Sequence, residues 1–179
     1  MLKNFVNDSN FLNIYRFGSH VYGTNNEFSD EDFVCIVGHK IISDDINIHI
    51  YSKKEFQDFL NNHDIQALEM HFLPNEFKLK ETIKFQFNLD KSKLRHSIST
   101  VSNGAWVKGK KKLLVQADYN KLLAIKSIFH SLRILDYGIQ IATNEKISDY
   151  SSMNKILLEI FELGEKYEHQ ELWNKIEET

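Results

Sequence analysis

The sequence predicts an α+β fold in which a small mixed β-sheet with flanking helices, residues 1–89, is followed by a helical lobe, residues 90–179. Three observations carry this prediction. Ile46, Ile48 and Ile50 alternate with Asn47, His49 and Tyr51, the spacing of a strand with one buried face. Ser52 and Glu55 form an S-x-x-E capping box, the signature of a helix start. From about Asp90 the apolar spacing lengthens to roughly four, as at Leu94, Ile98, Val101 and Ala105, which is helical.

Taken in order, Phe11–Phe17 reads as the first strand, followed by a turn or short helix after Ser19. Residues 31–37 form the second strand and the alternating isoleucines the third, which Ser52 ends. A helix then runs over Lys53–Asn61 with Phe56, Phe59 and Leu60 turned inward, and Asp64 caps another containing Ile65 and Leu68. The MHFLP stretch, residues 70–74, reads as extended, and residues 84–88 as a further strand. In the helical lobe the first helix starts near Asp90 and breaks near Gly104, and the second runs from Asp118 to about Ala142. Met153, Ile156, Leu157, Ile160, Phe161 and Leu163 mark a third, and Leu172, Trp173 and Ile176 a short last one.

Composition narrows the classes of function. The chain of 179 residues is 42% hydrophobic and 26% charged, ordinary for a globular protein. No apolar run approaches the roughly 20 residues of a membrane span and the N-terminus has no secretory pattern, so a cytoplasmic protein with no membrane partner is expected. Cys35, the single cysteine, lies inside the apolar run FVCIV, as a packed thiol does. A net charge of −3 argues against a protein that coats long nucleic acids, while a local basic patch remains able to grip an RNA end or a triphosphate.

The chemistry is concentrated in FGSHVYGTNNEFSDEDFVCIV, residues 17–37. Gly18 lets a backbone approach a phosphate, and Ser19 offers a hydroxyl and a backbone N–H. Asp30 and Asp32, two apart at the start of a strand, aim at one point. Two such carboxylates repel, and a divalent cation between them relieves the repulsion. Mg²⁺ suits the place, because it takes one or two carboxylates and completes its shell with water and substrate phosphates.

Gly-Ser, then ten residues, then Asp-x-Asp, with a strand on either side, resembles the signature of the nucleotidyltransferase superfamily, which includes DNA polymerase beta and the CCA-adding enzymes. The close resemblance covers about residues 14–52; a looser one, to small nucleotidyltransferases of phages and bacteria, extends to about Asp149. It implies that Gly18 and Ser19 hold the triphosphate and that Asp30 and Asp32 hold Mg²⁺ or Mn²⁺. The implied reaction moves a nucleoside monophosphate from an NTP, such as ATP, to a hydroxyl on an RNA 3′ end, a protein or a small molecule.

A second constellation lies on the helix from Asp118. At about 100° per residue, Lys126, His130, Arg133, Tyr137 and Gln140 share one sector, with Ile125, Phe129, Leu132, Ile128, Leu135 and Ile139 covering one flank. A cationic stripe on a helix that is apolar nearly all round needs an anion opposite it, which a triphosphate would supply. Lys126 and Arg133 are the expected phosphate ligands, with His130 on a phosphate or on the base; a half-exposed helix with a wet face is the competing reading. Lys108, Lys110, Lys111 and Lys112 follow Trp106. They suit an RNA acceptor, with the indole stacking a base, although a solvated helix end is the reading that lysine runs near helix ends favour.

Active members of the superfamily take a third carboxylate from the next strand. Here that strand offers Asn47 and His49, with Asp45 just before it, and Glu69 is the remaining candidate from a neighbouring element. The gap leaves room for a second expectation, a nucleotide-binding regulatory or antitoxin-like module with little or no catalysis.

Overall fold

The computed structural model describes residues 9–38 and 47–179. Four strands, β1 (Phe11–Phe17), β2 (Asp32–Val37), β3 (Ile48–Ser52) and β4 (Lys78–Glu81), form one sheet in the order β3-β2-β1-β4. β1 runs antiparallel to β2 and β4, and β2 parallel to β3, so the sheet is mixed. Seven α-helices are seen among the described residues: α1 (Ser19–Tyr22), α2 (Lys53–Asn61), α3 (Ile65–Phe72), α4 (Lys91–Leu114), α5 (Lys121–Asn144), α6 (Asn154–Lys166) and α7 (His169–Glu178). The α+β class, with a helical C-terminal half, is as the sequence predicts.

Strand alternation assigns the two faces of the sheet. Ile14, Phe33 and Cys35 point to one face, where Ile48, Ile50 and Leu79 join them. Burial there pushes the Cys35 thiol up to about 12, as befits a packed side chain. Tyr15, Val34 and Ile36 point to the other face, into a core shared with Phe56, Leu60, Leu68 and Met70, with Leu94 and Ile98 of α4 and with Ile134, Tyr137 and Ile141 of α5. Asp32 therefore begins β2 on the face that the helices cover. A second core, around Leu113, Ile125, Ile128, Ile160 and Trp173, holds the helices to one another.

The caps are where the sequence puts them. Ser52 Oγ accepts from Glu55 N and Glu55 Oε2 accepts from Ser52 N, and Asp64 Oδ1 accepts from Ala67 N. Several boundaries differ. Residues 70–72 are the last turn of α3, with Met70 buried, and the extended conformation begins only at Leu73, which Pro74 excludes from the helix. The fourth strand is Lys78–Glu81, whose KLKE has no apolar alternation to betray it. Residues 84–88 form no strand. The Gln57 side chain takes the place of a partner strand there, donating to Gln86 O at 2.7 Å and accepting from Gln86 N at 3.2 Å, while Phe85 packs on Phe56.

Helix α4 passes through Gly104 unbroken, since one exposed glycine weakens a long helix by only about 1 kcal/mol. α5 starts at Lys121 with Asn120 as its cap; Asp118 ends a short 3₁₀ turn and is paired with Lys111 and Lys112. Leu135 and Ile139, expected on a covered flank, are 41% and 63% exposed, because α5 is covered chiefly by the sheet core and α4. Asp45 and Ile46 lie outside the described residues. No helix among the described residues is long and apolar enough to cross a membrane.

Candidate functional site

Antiparallel pairing of β1 with β2 builds the first wall of the site. Phe17, the last residue of β1, stands opposite Asp32, the first of β2, so the turn leaving β1 and the acids entering β2 meet at one end of the sheet. Gly18 makes that turn at φ 79° and ψ −152°, a conformation that is essentially restricted to glycine. Its missing side chain also makes room, since a Cβ there would lie 2.5 Å from Asp32 Oδ2.

A cleft of about 750 Å³ opens at this corner. Ser19, Asp30 and Asp32 line one side, and Lys126, His130 and Arg133 of α5 line the other. Six residues singled out in the sequence thus share one space, although α5 lies far along the chain. Asp30 precedes β2 rather than belonging to it, so the reason the two acids converge is the loop and not strand alternation. Asn26 shapes that loop: its backbone N–H donates to Ser29 Oγ and its Oδ1 accepts from Phe28 N. Phe28 is held out on the rim, 85% exposed, and Leu122, Leu157 and Phe161 complete an apolar portion of the lining.

The electrostatics divide the cleft. Burial first, and then the charge of Asp30, raises the Asp32 carboxyl above its ordinary range, while His49 and His20 pull it down. Among the described residues no three His, Cys, Asp or Glu side chains converge as a ready metal cage. Two oxygen donors with open space beside them fit Mg²⁺ or Mn²⁺, which draws its other ligands from water and phosphate.

On the opposite wall Arg133 is 6% exposed. Its guanidinium lies 3.4 Å from the centre of the Tyr22 ring and donates through Nη2 to His130 Nδ1 at 2.9 Å. Its Nε–H is buried with no acceptor among the described residues, an arrangement that costs about 1–3 kcal/mol. Since arginine only donates, His130 Nδ1 is an acceptor and its proton sits on Nε2. Burial, Arg133 and Lys108 together push the His130 imidazole down to about 4, so it is neutral at pH 7.

The remaining candidates are distributed as follows. Gly18 borders the cleft through Asp32. His49 is exposed on β3, opposite Val34, and its ring meets Phe17 edge-on at 6.2 Å. Asn47 lies one step before β3, its carbonyl accepting from Phe33 N at 2.9 Å. Glu69 lies outside the cleft, buried behind Tyr22, whose hydroxyl donates to Glu69 Oε2 at 2.6 Å. Tyr137 and Gln140 leave the stripe: the Tyr137 hydroxyl donates to Tyr150 O, and Gln140 ties Asp136 to the loop at Ser148 and Asp149.

The lysine cluster is split. Trp106 packs edge-on against Trp173 at 5.2 Å instead of standing free, and Lys110 Nζ sits over the Trp173 ring at 4.8 Å. Lys111 and Lys112 hold Asp118, leaving Lys108 as the member whose charge reaches His130. Tyr22 and Phe28 were not singled out from the sequence. A tyrosine beside a helical glycine turn is ordinary, and its partners Glu69 and Arg133 are too remote in the chain to be associated with it. No protein-family model, curated protein or solved structure matches this chain.

Proposed function

We propose that the cleft is the active site of a metal-dependent nucleotidyltransferase, which moves a nucleoside monophosphate from an NTP to a hydroxyl acceptor and releases pyrophosphate. The observation that supports it is the meeting of Ser19, Asp30 and Asp32 with Lys126, His130 and Arg133 across one cleft. Acids that need a cation and bases that need an anion, placed face to face, suit a triphosphate carrying its own divalent ion.

Asp30 and Asp32 would hold the ion. When bound, it neutralises the acidic pair and draws charge from the phosphates. Lys126 and Arg133 donate to phosphate oxygens, and Ser19 offers its hydroxyl from the sheet side. His130, neutral, donates through Nε2–H without adding a charge that pH would remove. The acceptor oxygen bonds to the α-phosphorus, its hydroxyl proton passing to water in the open cleft, as the bond to the bridging oxygen breaks and pyrophosphate leaves with that electron pair. Holding the reactants in line is the main contribution of these residues.

A second reading, a nucleotide-binding module with weak or no catalysis, is favoured by the β3 edge beside Asp32. The described residues there are Asn47 and His49, not a carboxylate. One assay separates the two readings. The protein is incubated with each labelled NTP, Mg²⁺ or Mn²⁺, and tRNA or a cell lysate, alongside a variant with Asp30→Ala and Asp32→Ala. Transfer of label that the double variant abolishes supports the enzyme; metal-dependent binding with no transfer supports the module.

A further inference from the structure

Arg133 is a buried cation with no carboxylate at ion-pair distance among the described residues. Instead it rests on the face of Tyr22, at 3.4 Å. The Tyr22 hydroxyl, at the far end of the same ring, donates to the buried carboxylate of Glu69 at 2.6 Å. Cation, ring and carboxylate therefore form a series of contacts, with the guanidinium over the ring face and the carboxylate at the hydroxyl on the ring edge.

Each link of the series is itself held. Tyr22 is fixed by the Gly18 and Gly23 caps of α1, and Asn154 Nδ2 of α6 donates to its carbonyl at 2.8 Å. Glu69 is anchored through its backbone oxygen, which accepts from the Tyr150 hydroxyl at 2.7 Å, and Tyr150 O accepts from the Tyr137 hydroxyl at 2.8 Å. Tyr137 is one helical turn beyond Arg133 on α5. The loop of contacts thus starts and ends on the helix that carries the arginine.

We infer that Tyr22 and Glu69 are positioning residues for Arg133, holding its guanidinium flat against the cleft wall without consuming its charge, so that it meets the phosphate tail of the nucleotide. This rests on the nucleotide reading of the cleft. A direct ion pair would satisfy Arg133 and turn its donors away from a ligand. A ring face attracts the same cation electrostatically while leaving Nη1, and the Nη2 proton that His130 does not take, available, and a phenol that donates to a carboxylate presents a more electron-rich face. Glu69, weighed from the sequence as a metal ligand, acquires a different role: it fixes the Tyr22 hydroxyl, and the Arg133 charge acts on its carboxyl through space, opposing the upward push of burial.

The test uses the whole chain and three variants, Tyr22→Phe, Tyr22→Leu and Glu69→Gln, with NTP, Mg²⁺-tripolyphosphate and the phosphate-free nucleoside as probes in calorimetric titrations. The expected result is a loss of affinity of about tenfold or more for NTP and tripolyphosphate in Tyr22→Leu, and of a few fold in Tyr22→Phe and Glu69→Gln. Nucleoside binding should be unchanged in all three. The Arg133 Nε–H resonance, shifted by the ring beneath it in the parent protein, should lose that shift in Tyr22→Leu and keep it in Tyr22→Phe. If Tyr22→Leu does not fold, the two milder variants carry the comparison.

NTP binding by the parent, with Tyr22→Phe and Glu69→Gln matching it on every probe, would overturn the positioning role. So would an equal loss for nucleoside and NTP. A parent with the ring-shifted resonance but no affinity for either NTP or tripolyphosphate would instead overturn the nucleotide reading.

Discussion

Asp32 occupies the space that a side chain on Gly18 would need, with its Oδ2 2.5 Å from where that Cβ would be. The glycine thus serves the acid as well as the turn. One residue that bends the chain also admits a carboxylate into the corner where a metal-bound phosphate would lie.

Gly18→Ala should therefore fail twice. The positive φ with ψ near −152° disfavours any side chain, at about 1–3 kcal/mol of folding stability, and the new methyl displaces Asp32. Urea unfolding should show the stability loss, and NTP transfer or metal-dependent NTP binding should fall to the level of Asp32→Ala. A variant as stable and as active as the parent would show that the corner is not built as described.

Arg133→Met, which keeps the length of the side chain, should weaken NTP binding by about 1.5–3 kcal/mol, the worth of a charge-assisted contact to phosphate. Titration calorimetry on the folded variant measures it. Unchanged affinity would remove α5 from the site.

His130 makes a pH prediction whose sign follows from its neutral state. Its imidazole sits near pKa 4 in the folded protein against an ordinary 6.5, so between those values the unfolded chain binds a proton that the folded one refuses. The corresponding stability is complete above about pH 6.5 and is lost as pH falls towards 4. Over that window the parent should lose stability more steeply than His130→Gln, by a slope approaching one proton, about 1.4 kcal/mol per pH unit. Denaturant titrations at several pH values test this, and parallel curves would contradict it.

Asn47→Asp places a third carboxylate just before β3. Continuing the β2–β3 register one step back from Phe33 opposite Ile48 sets residue 47 beside Asp32, where a third carboxylate would share the cation. The substitution should raise the transfer rate at saturating Mg²⁺, read as product formed per minute. A lower rate would assign the third ligand elsewhere.

Much of this was legible in the chain because it is local. The capping box at Ser52 and the cap at Asp64 are encoded within four residues, and the change of apolar spacing near Asp90 separates sheet from helices without any knowledge of contacts. The acids and the Gly-Ser corner were legible for the same reason, since one antiparallel pairing brings them together. What was hidden depends on distant partners. Phe85 and Phe87 carry a strand's alternation, yet the Gln57 amide replaces the neighbouring strand. Trp106 has the composition of a stacking platform, but Trp173 of the last helix covers it. Glu69 looks like a spare carboxylate until Tyr22 is seen against it, 47 residues away.

The most direct test of the account is a crystal of the protein grown with Mn²⁺ and a non-hydrolysable NTP, in which the anomalous signal locates the ion. The account predicts a manganese peak between the carboxylates of Asp30 and Asp32, with phosphates running from Ser19 towards Lys126 and Arg133. A nucleotide ordered elsewhere, or a manganese that avoids both aspartates at saturating concentration, would contradict it.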